Sequence, residues 1–150
     1  MSGALQAILW AGSACAILDG TAASVQFGLM GIAPLRVWQG VASGLLGEPA
    51  FEKGWRSGAL GLLLHLATAF TVAAVFVEAS RELPWLSRAY WITGPLYGVG
   101  VFLVMHLIVV PLSARPRRPA SVEAIGMQLV IHVLCVGFPI ALVANIFAFS

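Results

Sequence analysis

The stretch SGALGLLLHLATAFTVAAVFVEA, residues 57–79, carries one charged side chain, Glu78, and that lies beside its end. At about 1.5 Å per helical residue it reaches across the roughly 30 Å of a bilayer's hydrocarbon. A backbone in hydrocarbon must satisfy its own hydrogen bonds, and no alternating barrel pattern runs through this stretch, so it reads as a spanning α-helix. Three other stretches share its character: Ala4 to Ala33, Trp91 to Leu112 and Val122 to Phe147. The expected fold is all-α and polytopic, one domain over residues 1–150 built on four transmembrane helices.

Composition agrees with that reading. Of 150 residues 60% are apolar and 9% charged, more apolar than a soluble domain of this size. The net charge of +2 is scattered over the connections, with no basic run interleaved with aromatics, so nucleic acid is excluded and membrane lipid is the implied partner. Cys15 and Cys135 both fall inside apolar stretches, unlike a secreted disulfide framework. The first segment lacks a basic lead and outruns the apolar core of a signal peptide, and it reads as a retained helix ended by Pro34. Ser121 is placed to cap the fourth helix, with Glu123 in its first turn.

Leu35 to Arg56 is too apolar for a free loop. A short interfacial or re-entrant helix is expected there, with Trp38 and Trp55 at headgroup level and Trp85, Tyr90 and Trp91 at the opposite interface. Loops one and three carry Arg36, Lys53, Arg56, Arg115, Arg117 and Arg118 against Arg81 and Arg88 in loop two, which by the positive-inside rule makes the former cytoplasmic.

Gly12, Ala16, Gly20, Ser24 and Gly28 form a row of small residues spaced by four along the first helix. Lipid supplies no hydrophobic drive for association, so close approach along such a ridge is how helices gain contact. Gly94 and Gly98 make a shorter ridge on the third helix.

His65, His106 and His132 occupy one spanning segment each. Counted from Ser57, Ser113 and Ser121 they lie about 12, 10 and 16 Å deep from one membrane face, because successive helices run antiparallel. Ionisable side chains at such depth are costly and mark function by default. Three neutral imidazoles suit zinc or copper, and two suit the axial positions of haem iron; a layer of interhelical hydrogen bonds is the alternative use. Gln26 shares the depth of the layer and Asp19 lies deeper on the same face, as outer groups able to orient a histidine or carry a proton. Thr68 stands one turn from His65 and Gln128 one turn from His132.

Three functional readings follow. The first is binding, transfer or redox relay at a metal or haem held by His65, His106 and His132. The second is an accessory or assembly subunit whose helix-one ridge docks on a larger complex. The third is a small proton-coupled transporter or channel, formed as a homo-oligomer, using Asp19 and the histidines. No catalytic constellation names a reaction.

Around the histidines, the stretches LLLHLATAFTVAAVFVEAS, GPLYGVGVFLVMHLIVVPLSA and QLVIHVLCVGFPIALVA resemble the YagU-type inner-membrane proteins of bacteria and related small four-helix proteins. The LDG at Asp19 is similar to the smaller relatives. The resemblance implies a multi-pass protein of a bacterial inner membrane with no established activity. It also implies periplasmic loops one and three, opposite to the charge count, and leaves orientation open.

Overall fold

The computed structural model describes residues 3–116 and 121–148; Arg117 and Arg118 of the third loop lie outside them. Four helices are long and apolar enough to cross a membrane: α1 (Gly3–Leu29), α3 (Gly54–Glu82), α5 (Tyr90–Leu112) and α6 (Val122–Phe147). Between the first two lie α2 (Pro34–Leu46) and a 3-10 turn, Glu48–Glu52, and α4 (Trp85–Arg88) links α3 to α5. No strand occurs among the described residues, and the chain is an all-α, multi-pass membrane protein.

The helix boundaries follow local chemistry. Pro34 does not end the first helix. Gly31, at φ 77°, already turns the chain after Leu29, and Pro34 instead opens α2, where its fixed φ and missing N–H suit the first helical position. Ser121 caps α6 as expected, its hydroxyl accepting the Ala124 N–H at 3.2 Å.

Where the spans meet, side chains are small. A core of Ala7, Ala11, Cys15, Ala16, Ala69, Ala73, Ala141 and Ala144 sits between α1, α3 and α6, with Phe76 and Ile140 as its bulk. Tyr97 of α5 closes it, its ring tilted against that of Phe76 at 4.9 Å and its hydroxyl donating to the Val72 carbonyl at 2.7 Å. A close crossing joins α5 to α6. A Cβ at Gly94 would lie 2.9 Å from the Phe138 Cα, and one at Gly137 would lie 2.6 Å from the Gly98 Cα, so backbone rests on backbone. The helix-one ridge packs over only part of its length: Gly12 receives Phe70 and Gly20 receives Trp38 and His65, whereas Gly28 faces open space.

The short helix expected between the first two spans is α2, and it packs along α3. Leu35 fills the space above Gly58, and the Trp38 carbonyl rests on Gly61, where any Cβ would collide with it. Trp38 turns its ring onto His65, while Trp55, Trp85 and Trp91 stay exposed.

Two spans contain π-helical turns, Met105–Val109 in α5 and His132–Gly137 in α6. Each has the same cause. The Val110 N–H reaches back five residues to Met105 and the Phe138 N–H to Val133, and a proline follows immediately, Pro111 or Pro139. A proline inside a helix offers no N–H and crowds the carbonyl four residues back, and widening the preceding turn relieves both.

Candidate functional site

Asp19 and His65 meet where α1 crosses α3. The two side chains are largely buried, with Asp19 Oδ2 at 3.7 Å from His65 Nδ1. The other ring nitrogen, Nε2, lies 3.0 Å from the Ala16 carbonyl oxygen. A carbonyl only accepts, so Nε2 carries the hydrogen and the face turned to Asp19 is the Nδ1 lone pair or its proton. Gly20 makes the approach possible: a methyl there would sit 3.2 Å from Nε2 and 3.0 Å from the Trp38 ring. Trp38 covers the imidazole edge-on at 5.3 Å.

Beside this pair lies a cleft of about 460 Å³ between α1, α2 and α3, lined among others by Gly20, Thr21, Ser24, Trp38, Leu62 and His65. Ile17, Val25 and Leu62 are exposed at its rim, so it opens sideways where the spans face hydrocarbon.

His106 and His132 form a second group, and Phe102 separates them. His106 stacks on the Phe102 ring at 4.3 Å, and His132 meets that ring edge-on at 5.6 Å. His132 donates from Nδ1 to the Gln128 carbonyl one turn back, at 2.8 Å. Each histidine stands in a π turn, so the widened backbone of α5 and α6 sets where both rings point.

The three histidines thus do not share a site. Among the described residues no group of three or more His, Cys, Asp or Glu side chains is arranged to hold a metal ion. Asp19 does stand against His65. Gln26 and Gln128 pair with each other instead, the Gln128 amide donating to Gln26 Oε1 at 2.7 Å and tying α1 to α6. Thr68 is exposed and spends its hydroxyl on the Leu64 carbonyl at 2.9 Å. Cys15 and Cys135 are free thiols.

Sequence reasoning read Trp38 as a belt residue and did not single out Phe102, nor the Ala16 carbonyl, which no side-chain pattern reveals. It also missed the π turns, although Pro111 and Pro139 inside apolar spans were the signal.

No protein-family model matches the chain, and no curated protein or solved structure matches it.

Proposed function

We propose that this membrane protein couples proton binding to the binding of a ligand within the bilayer, with Asp19 and His65 holding the proton. The observation that supports the reading is the carboxyl–imidazole pair inside the apolar spans, standing beside a cleft. With Nε2–H committed to Ala16, one further proton makes the pair neutral overall, on the carboxyl or on Nδ1. Removing it leaves a net negative charge in hydrocarbon and adding another leaves a positive one, and both are costly there. The carboxyl and the facing ring nitrogen offer one proton two atoms to occupy, as a coupling element requires.

The membrane is taken to be a bacterial inner membrane on the YagU-type resemblance. A homo-oligomer or a larger complex has its own support in the helix-one ridge, which runs into open space at Gly28.

Infrared difference spectra of the protein in nanodiscs, recorded across a pH jump, test the proton site. A carboxylic-acid C=O band is expected, absent from Asp19→Asn and shifted in His65→Gln. Spectra without any band that depends on Asp19 would refute the reading.

A further inference from the structure

Eight of the described hydroxyl side chains, Ser43, Ser57, Thr68, Thr71, Ser80, Ser87, Thr93 and Ser113, donate to a carbonyl three or four residues earlier. A hydroxyl in an apolar medium is costly when unpaired, and the helix's own carbonyls are its nearest acceptors. Ser121 serves as a cap. Among the described residues Ser13, Thr21 and Ser24 make no such bond. All three stand on α1, and Thr21 and Ser24 line the cleft beside His65. Two donors are thus left free in the one place where an apolar opening adjoins the Asp19–His65 pair.

We propose that the cleft binds a lipid-phase para-quinone whose carbonyl oxygens accept from Thr21 and Ser24. The assignment rests on the proton-holding site described above and names its ligand. Four features of the cleft select that chemistry. Its volume of about 460 Å³ falls in the ordinary range for small-molecule sites. Its exposed apolar rim, Ile17, Val25 and Leu62, admits a ligand from hydrocarbon and leaves a path for an apolar tail. Thr21 and Ser24, three apart on one helix face, hold their Cβ atoms about 5–6 Å apart, a spacing on the scale of a six-membered ring with an oxygen at each end. Trp38 and His65 give an aromatic wall for a flat ring.

The test uses the full chain in phosphatidylcholine nanodiscs, with Trp10, Trp55, Trp85 and Trp91 replaced by phenylalanine so that Trp38 alone reports. Decyl-ubiquinone is titrated and quenching of Trp38 followed. Saturable quenching is expected, weakened about tenfold in a Thr21→Val/Ser24→Ala double variant, as the loss of two hydrogen bonds implies, and unchanged in Thr71→Val. Linear quenching that is the same in all three proteins means simple partition of quinone into lipid and overturns the assignment. Displacement of the quinone by dioleoylglycerol at equal concentration makes the ligand an ester lipid and overturns it as well. The infrared spectra keep the two proposals apart: saturable quinone binding by a wild-type protein whose spectra show no band that depends on Asp19 leaves the ligand standing and removes the proton, and the reverse pattern removes the ligand alone.

Discussion

Replacing Gly137 with alanine is the sharpest test of how α5 and α6 are held together. The added methyl would lie within contact of the Gly94 carbonyl oxygen and the Gly98 nitrogen, and 2.6 Å from the Gly98 Cα. All three are backbone atoms, so no flexible side chain can move aside and the helices themselves must part by about an ångström to restore ordinary contact. Overpacking a well-packed interior costs about 1–3 kcal/mol. A rigid backbone on both sides puts this case at the upper end of that range. Alanine returns roughly 1 kcal/mol over glycine in a helix interior. The net loss is therefore about 2 kcal/mol, a shift of up to about 30-fold in the folding equilibrium. Gly126, on the same helix and exposed with nothing within 4 Å, provides the control, since its alanine variant gains propensity without a clash. Reversible denaturation in mixed micelles, followed by circular dichroism, should place Gly137→Ala below the wild type and Gly126→Ala at or above it. Equal stability of the two variants would refute the crossing.

Three further outcomes are expected. Gln26→Leu removes the acceptor of the Gln128 amide and should lower stability by about 0.6 kcal/mol, the typical worth of a hydrogen bond between spanning helices, in the same denaturation assay. Pro111→Ala restores an N–H donor to α5 and should convert the π turn to regular helix, swinging His106 off Phe102; the ring-current shift of the His106 proton resonances should then collapse while that of His65 stays put. Because no three-ligand group is present among the described residues, dialysis against a chelator should leave the melting temperature where it was, and a fall of several degrees would bring back a metal centre.

The spans were legible because hydrocarbon imposes one rule on every residue that crosses it. The structure keeps all four stretches, and α3 is longer than its sequence reading by three residues at each end, since Gly54 and Glu82 continue the hydrogen-bond ladder after the apolar character ends. The short helix before α3 was also readable from the apolar residues of Leu35 to Leu46. Its docking was not. Only Gly58 and Gly61 on the following helix reveal where it lies, and a glycine in an apolar span says that something approaches without saying what. The candidate site was half legible. Depth along the chain placed His65, His106 and His132 at one level, but depth leaves rotation about each axis undetermined. Two π turns and the Phe102 ring give His106 and His132 neighbours different from those of His65.

The docking of α2 constrains the order in which the protein is assembled. Its thirteen residues extend about 20 Å, too short to cross the membrane unaided, and the surface that receives it belongs to α3, which the ribosome delivers later. Until Gly58 and Gly61 have entered the bilayer, α2 has no groove to occupy. The Asp19–His65 pair then waits as well, since His65 arrives on the same late helix. The first two helices are thus held in an unfinished state during synthesis, and one later insertion seats α2 and assembles the pair together.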